Sequence, residues 1–333
     1  MYEKFYSLKG MPFQLTPDHR FFFGSTEHKK AMAFLEYGIA QREGFVVVTG
    51  EIGAGKTTLV EQLLATLDPN EHVAGRVVTT QLGGHDMLRM IAAAFGMPAE
   101  GLEKATLINK LAKFFSDLQA SGKRPLVIVD ESQSLTTEAL EELRMLSNLS
   151  GGMGALFQGI LLGQPEFRTT LAGPNLTQFR QRVIASCHLS GLGEEDTRRY
   201  IEHRLSQVGW SGDPHFSEGA FLEIHRRTDG IPRRINSLCS RLLLLGYLED
   251  THSVDANAVM NVAEELALEL RPLSTAENGS AIEHKISDVE TRVGNTDLIS
   301  RIARVESAMG RNDRVINRAL DLALKYLPAP HAK

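Results

Sequence analysis

The 333-residue sequence has few cysteines and no long hydrophobic run. Its two cysteines, Cys187 and Cys239, lie far apart, with no histidine or cysteine at the spacing of metal ligands, which argues against a zinc site or a disulfide framework. No apolar run approaches the ~20 residues of a membrane-spanning helix, and the start of the chain lacks the charged-then-apolar pattern of a signal peptide. We therefore expect a protein of the reducing cytoplasm that has no membrane span of its own.

A strong positive charge is also absent. The net charge is −5, so the sequence as a whole has no electrostatic attraction for nucleic acid or for an anionic membrane. With 42% hydrophobic residues the chain can bury a large core, and its length predicts two folded domains and an appendage.

A predicted phosphate-binding loop lies between a hydrophobic strand at 45–49 and a helix that continues from Leu59. The glycines let consecutive backbone N–H groups surround phosphate oxygens, and the helix N-terminus adds partial positive charge. Lys56 is expected to reach the β- and γ-phosphates of ATP, and the Thr57 hydroxyl to bind Mg²⁺. Because the flanking strand and helix are present, a chance glycine-rich turn is disfavoured. The nine residues of the loop are Gly50, Glu51, Ile52, Gly53, Ala54, Gly55, Lys56, Thr57 and Thr58.

Two carboxylates follow a second buried strand. The β-branched run 126–129 ends at Asp130 and Glu131, which places both acids at the carboxyl edge of a predicted parallel strand, where ligands bind in open α/β sheets. Asp130 is expected to hold Mg²⁺ from its second shell, and Glu131 to orient and polarise the attacking water. Either acid alone would be read as a helix cap or a solvated strand end.

Strands alternate with helices as far as residue 192, and this pattern predicts a parallel sheet with right-handed crossovers. An N-terminal segment rich in aromatic residues and proline, 1–24, precedes the α/β domain at 25–192. From Gly193 the strand pattern stops, and a small all-helical lid is predicted at 193–270. Predicted strands lie at 45–49, 74–80, 126–129, 157–162 and 183–189, and predicted helices at 25–42, 86–95, 102–118, 136–148, 194–208, 217–228, 232–247 and 255–268.

Residues 271–281 have the composition of a linker. The appendage that follows, 282–333, contains two apolar sets with 4-3-4 spacing on either side of Gly294-Asn295. Two short sets with a phase break are equally compatible with a coiled coil and with a helix docked on the body. We expect this appendage to recruit a partner or to promote self-association.

Four further residues are candidates for the reaction. Gln164 ends the strand at 157–162, where its amide would help to position water, although a turn residue before Pro165 is the plainer interpretation. Arg180 and Arg182 precede the last strand, and one of them could project from a subunit surface. Arg233 follows Pro232 on the first turn of a helix, from which a guanidinium can reach a phosphate across an inter-domain cleft. An ordinary ion pair is the alternative.

Together these residues resemble AAA+ ATPases, and most of all the general secretion pathway A-type family. The N-terminal residues Phe5, Tyr6, Leu8, Gly10, Pro12, Phe13, Pro17 and Asp18, and then Gly24, Ser25 and His28, also resemble this family, in which such a segment borders the adenine site. The resemblance covers about residues 1–268 and implies a P-loop ATPase that works as a homo-oligomer. By this resemblance the roles are Walker A for Gly50 to Thr57, Walker B for Leu126 to Glu131, sensor 1 near Gln164, an arginine finger at Arg180 or Arg182, and sensor 2 at Arg233.

Secretion-pathway members often continue into a membrane segment and a periplasmic peptidoglycan-binding domain, and this sequence shows neither. Within the group it looks more like the ATPases associated with the exosortase A/PEP-CTERM sorting system and its exopolysaccharide loci. Ser132 stands where alanine is frequent in this family, and both residues are small. The expected location is the cytoplasm, or the inner membrane through a partner.

Three functions compete at this point. The first is an ATP-hydrolysing enzyme that drives an envelope secretion, sorting or polysaccharide-export assembly. The second is a DNA-bound transposition helper, which the net charge disfavours, although residues 301–333 carry seven Lys/Arg against three Asp/Glu. The third is a nucleotide-gated scaffold with little turnover, for which Glu131 would be of less use.

Overall fold

The computed structural model describes residues 1–14, 19–78, 83–151 and 154–269. Several sequence predictions fall outside these ranges: the Pro17-Asp18 pair, the end of the second strand at Thr79-Thr80, the linker 271–281 and the appendage 282–333. They stay predictions.

The first two thirds of the chain form an α/β unit. Its main sheet has five parallel strands in the order β2-β3-β6-β1-β7, which confirms the predicted parallel core. After α1 (Tyr2–Phe5) of the N-terminal segment, the elements of this unit in chain order are α2 (Thr26–Ala40), β1 (Phe45–Gly50), α3 (Lys56–Thr66), β2 (His72–Val78), α4 (Gly84–Ala94), α5 (Lys104–Ala120), β3 (Arg124–Asp130), α6 (Thr137–Ser147), β4 (Ser150–Gly151), β5 (Gly154–Ala155), β6 (Gln158–Gly163), α7 (Glu166–Ala172), α8 (Thr177–Arg180) and β7 (Val183–Leu189).

Helices cover both faces of the sheet, which explains why β1 is an uninterrupted hydrophobic run. Val46 and Val48 face one core cluster with Leu35 of α2 and Leu59 of α3. Phe45 and Val47 face the opposite cluster, built with α4, α5 and α6. Alternate residues of one strand therefore pack into two different cores, and both cores demand apolar side chains.

The last part of the described chain is a helical lid, as predicted. Beside its four helices it contains a two-residue parallel bridge between β8 and β9. No helix in the described ranges is long and apolar enough to cross a membrane. The lid elements are α9 (Glu194–Ser206), β8 (His215–Phe216), α10 (Glu218–Thr228), α11 (Pro232–Glu249), β9 (Ser253–Val254) and α12 (Ala256–Glu269).

The N-terminal segment forms two short helical elements. It contains α1 and a 3₁₀ turn at His19–Phe21. Its aromatic residues Tyr2, Tyr6 and Phe13 are buried in the core of the lid, together with Ile201 and Leu205 of α9. Burial of these rings, rather than local propensity, orders the segment, since a helix of one turn has little stability of its own.

The β4–β5 hairpin was not predicted. Strands of two residues are too short to show a period in the sequence.

Candidate active site

The phosphate loop connects β1 to α3 and curves around the ammonium group of Lys56. Lys56 Nζ donates to the carbonyl oxygens of Gly50 at 2.8 Å and of Glu51 at 3.1 Å, and the side chain is only 7% exposed. Burial lowers the pKa of Lys56, while the carboxylates of Glu131 and Asp130 act in the opposite direction. The loop thus holds a partly dehydrated cation at the N-terminus of α3, where an anion would be favoured.

Two loop glycines are required by close approaches as well as by backbone conformation. Gly53 has φ +84°, and a Cβ there would lie 2.2 Å from Arg233 Cβ. Gly55 has φ +99°, and a Cβ there would lie 2.8 Å from His28 Nε2. A side chain at position 53 would clash with Arg233, and one at position 55 would clash with His28.

The hydroxyl and the carboxylate that are predicted to hold Mg²⁺ lie in contact. Thr57 Oγ1 donates to Asp130 Oδ2 at 3.0 Å, which brings the ends of α3 and β3 together. Mg²⁺ prefers such oxygen donors and completes its shell with water and substrate phosphates, so the pair fits this ion. Arg76 on β2 was missed by sequence reasoning: its Nη2 lies 2.9 Å from Asp130 Oδ2, and it also pairs with Glu61.

Glu131 is held by a network of two amides. Gln133 Nε2 donates to Glu131 Oε2 at 2.5 Å, and Gln164 Nε2 donates to the same oxygen at 3.3 Å. The network closes because Gln133 Oε1 accepts the backbone N–H of Gln164 at 3.0 Å. The structure therefore places the Gln164 amide beside Glu131 and adds Gln133 to the site. The expected role of Gln164 in positioning water stays a prediction. The signal for Gln133 in the sequence was its position two residues after Glu131.

Ser132 is fully buried, and its hydroxyl donates to the carbonyl oxygen of Val129 at 3.1 Å. A small side chain is therefore required between the two acids and Gln133. This need is consistent with alanine or serine at the position.

The lid meets the phosphate loop through the start of α11. The backbone N–H of Arg233 donates to the carbonyl oxygen of Gly53 at 3.2 Å. The exposed Arg233 guanidinium forms no hydrogen bond or ion pair within the described ranges, whereas its neighbour Arg234 pairs with Asp229 at 2.7 Å. Arg233 therefore lies over the loop with its charge available.

A cavity of about 430 Å³ lies where the sheet, the lid and the N-terminal segment meet. His28 forms part of its wall and is fixed by Ser25 Oγ, 2.7 Å from His28 Nδ1. Burial lowers the pKa of His28, which favours the neutral imidazole. The phosphate end of the cavity is lined by Lys56, Thr57, Asp130, Glu131 and Arg233, and the opposite end by Gln14, Phe21, Phe22, Phe23, Tyr200, Arg204 and Asn236.

Arg204 joins the N-terminal segment to the lid and was also missed. Its guanidinium is buried, donates to the carbonyl oxygens of Pro12 at 2.6 Å and Gln14 at 3.2 Å, and lies 4.6 Å from the ring centre of Phe21. It also donates to the Tyr200 hydroxyl at 2.9 Å. A charged residue on the apolar side of α9 was the only signal in the sequence.

Arg180 and Arg182 lie at the other end of the sheet. Phe45 pairs with Val183 and Gly50 with Leu189, so Arg182 lies beside the start of β1, about five residues or ~17 Å from the phosphate loop. Arg180 donates to the carbonyl oxygens of Leu171 and Gly173, both at 2.7 Å, and Arg182 contacts the side chain of Asn148. Neither arginine reaches the cavity of its own chain.

Comparison with known proteins gives a family domain and a fold. Residues 39–171 match the family described as AAA domain. General secretion pathway protein A of Aeromonas hydrophila is 36% identical over 269 residues, which are 80% of this chain and 49% of that protein. The chain thus spans about half the length of this curated relative.

Two solved structures show the same fold at low sequence identity. Cdc6p from Pyrobaculum aerophilum has a TM-score of 0.61 and 14% identity, over 78% of this chain and 74% of that one. The ORC2 protein of Aeropyrum pernix, in ADPNP-ADP complexes, has a TM-score of 0.52 and 17% identity, over 74% of this chain and 70% of that one. The fold is that of the P-loop AAA+ NTPases, as the sequence predicted.

Proposed function

We propose that this protein binds ATP with Mg²⁺ in the cavity between its parallel sheet and its helical lid, and that it hydrolyses the ATP. The proposal rests on the observation that the predicted catalytic and Mg²⁺-binding side chains meet at one cavity. Lys56 and Thr57 begin α3, whereas Asp130 ends β3 and Glu131 follows it, and all four line this cavity. A scaffold that only binds nucleotide would have little need for a glutamate held beside two amides.

Each residue has a distinct part in the proposed reaction. The Lys56 ammonium exchanges its two loop carbonyls for phosphate oxygens. Thr57 and Asp130 hold Mg²⁺, which supplies positive charge to the phosphates when it is bound. Glu131 orients the attacking water and takes its proton, while Gln164 helps to fix the geometry. Arg233 contacts the γ-phosphate from the lid and so makes lid position depend on the bound nucleotide.

The cellular role we propose is to drive or regulate a secretion or sorting assembly at the cell envelope. The similarity to General secretion pathway protein A supports this role. Within it we favour an exosortase A/PEP-CTERM or exopolysaccharide system, on the resemblance of the sequence motifs. The protein would reach the inner membrane through a partner.

We further propose that the ATPase works as a homo-oligomer in which Arg182 or Arg180 completes a neighbour's site. Both lie too far from their own phosphate loop to act within one chain. Of the two, Arg182 is the better candidate, because its guanidinium has one side-chain contact while the Arg180 guanidinium donates to three groups between residues 171 and 177 of its own chain.

The deciding experiment measures ATP turnover and ATP binding of the wild-type protein, Lys56→Ala and Glu131→Gln, each with and without duplex DNA. We expect turnover in the wild type without DNA. Lys56→Ala should lose ATP affinity, since it removes a ground-state phosphate contact. Glu131→Gln should bind ATP and stall, since the carboxylate acts mainly on the attacking water.

Other outcomes separate the alternatives. Turnover only with DNA would favour a DNA-bound helper ATPase. ATP binding without turnover under either condition would favour the nucleotide-gated scaffold. Parental turnover by Glu131→Gln would show that Glu131 does not activate the water.

A further inference from the structure

A second cavity, of about 240 Å³, lies at the opposite end of the sheet from the ATP site. It opens where β2, β3 and β6 begin, next to the loop that precedes β1. Its wall carries the side chains of Arg42, His72, Lys123 and Arg124. Asp and Glu are absent from this wall in the described part of the chain, although Glu43 and Glu71 are sequence neighbours of two of its residues.

The three cations of this cavity have no partner within the described ranges. The side chains of Arg42, Lys123 and Arg124 form neither an ion pair nor a hydrogen bond there, while eleven other arginines and lysines in the same ranges, such as Arg198 and Arg227, are paired with carboxylates. Lys123 and Arg124 are also half-buried. Unpaired cations that share a partly dehydrated wall repel one another, so an anion between them would be favourable.

His72 adds an independent observation. Both of its ring nitrogens are shielded from water and lack a hydrogen-bond partner. Buried polar atoms are almost always satisfied, and an exception indicates a missing water, ion or ligand. His72 lines the cavity, so a turn of its ring toward the cavity would let a bound hydrogen-bonding group supply that partner.

Helix dipoles explain part of the arrangement. Arg42 follows the C-terminal end of α2, and Lys123 follows that of α5, where positive charge is favoured. The dipoles do not account for Arg124 at the start of β3, for the unpartnered His72, or for the convergence of all four on one cavity.

We propose that this second cavity binds a small polyanion of the phosphate class. The size of the cavity limits the ligand, because 240 Å³ corresponds to roughly eight waters at ~30 Å³ each and is below the range usual for drug-sized ligands. Two linked phosphate groups fit this volume, whereas a whole nucleotide needs a cavity such as the one at the ATP site. The concave wall also suits a small anion better than the convex backbone of duplex DNA.

The test uses inorganic pyrophosphate as the probe, with the protein first saturated with MgADP so that the phosphate loop is occupied. Calorimetry on the wild type should show one pyrophosphate site. The double variant Lys123→Gln/Arg124→Gln should weaken its affinity by about tenfold or more, because charge-assisted bonds to phosphate are lost. If the double variant folds poorly, Arg42→Gln is used in its place, because Arg42 is exposed. This change should also weaken the affinity for pyrophosphate.

The matched control is Lys110→Gln/Lys113→Gln, which removes two exposed charges from α5 outside the cavity. It should leave pyrophosphate binding unchanged, and Lys56→Ala should retain the second-site binding. The proposal fails if the MgADP-saturated protein binds no pyrophosphate, or if the cavity variants and the control bind it equally. It also fails if the cavity variants lose affinity for duplex DNA and keep that for pyrophosphate, since the surface would then be a DNA contact.

Discussion

Glu131 combines an uncommon backbone conformation with a tightly held side chain. Its φ of +54° lies in the left-handed region, which costs a non-glycine residue roughly 1–2 kcal/mol. Its backbone N–H donates to Asp130 Oδ1 at 3.0 Å, and its carboxylate accepts the amides of Gln133 and Gln164. The surrounding contacts thus stabilise a turn that presents two adjacent acids to one cavity, and such strain is frequent at functional sites.

Gln133 is a positioning residue in this arrangement, so Gln133→Ala should act on turnover rather than on nucleotide binding. It touches Glu131 and Gln164 but does not line the cavity. We expect kcat to fall about 10- to 100-fold, as for loss of a partner that orients a functional side chain, with KM for ATP changed less than about twofold. Steady-state ATPase assays measure both values.

Two further variants are compared with Gln133→Ala. Gln133→Glu keeps the size of the side chain and places like charge beside Glu131, so it should be at least as slow as Gln133→Ala. Gln178→Ala, an exposed change on α8, should be silent. Parental kcat in Gln133→Ala would mean that Gln164 alone positions the carboxylate.

Arg233 and Arg234 form a natural pair for testing the lid. The guanidinium of Arg233 is available above the phosphate loop, whereas Arg234 is paired with Asp229. In a Glu131→Gln background, Arg233→Ala should reduce the preference for ATP over ADP by about tenfold, the effect of one charge-assisted bond to the γ-phosphate. Arg234→Ala should leave the ratio unchanged. Equal Kd ratios in both variants and the parent would exclude a γ-phosphate contact by Arg233.

At the scale of elements, a glycine decides how closely α2 approaches β1. Gly38 lies in α2, and a Cβ on it would be 2.2 Å from Val46 Cγ2. Gln158 Nε2 donates to the carbonyl oxygen of the same glycine at 2.6 Å. The glycine thus allows the helix backbone to lie directly on β1.

Gly38→Ala should therefore destabilise the fold. Overpacking of a close contact costs about 1–3 kcal/mol, which lowers Tm by ~2–4 °C per kcal/mol for a domain of this size. Gly219→Ala is the matched control, because the same added Cβ in α10 meets only an ordinary contact 3.5 Å away, at Ala256. It should be neutral or slightly stabilising. Thermal unfolding of both variants measures the difference, and equal Tm values would show that α2 can shift without cost.

At the scale of the whole molecule, the two ends of the parallel sheet carry different chemistry. The carboxyl ends of β1 and β3 and the lid form the first cavity, for which we propose ATP, and the opposite end carries Arg180, Arg182 and the second cavity. A residue at one end can act at the other only from a neighbouring chain. Oligomerisation is the geometric condition for an arginine finger here.

Mixing experiments test this condition. Arg182→Ala and Lys56→Ala should each be nearly inactive, since a finger contributes roughly 10³–10⁵ in rate in related GTPases. Mixed oligomers contain interfaces at which an intact Lys56 meets an intact Arg182, so the mixture should recover activity that neither variant has alone. Arg180→Ala in the same assay identifies the finger. With assembly confirmed by light scattering, no recovery at any ratio for either arginine would exclude a shared site.

The sequence by itself determined the alternation of strands and helices, the phosphate loop and the two acids after β3. These features are local: a strand, a glycine-rich turn and a helix start within a few residues of one another, and their periods and turn residues are written in the chain. Gln164 and Arg233 could be proposed for the same reason, because each follows a recognisable strand end or helix start.

Only the tertiary structure decided which distant residues share a site. Arg76, Gln133 and Arg204 reach Asp130, Gln164 and the N-terminal segment through the strand order and through the packing of that segment on the lid, neither of which leaves a local pattern. The same strand register placed Arg182 at the far end of the sheet from its own phosphate loop. Strand order depends on long-range contacts between whole elements, and no window of sequence contains them.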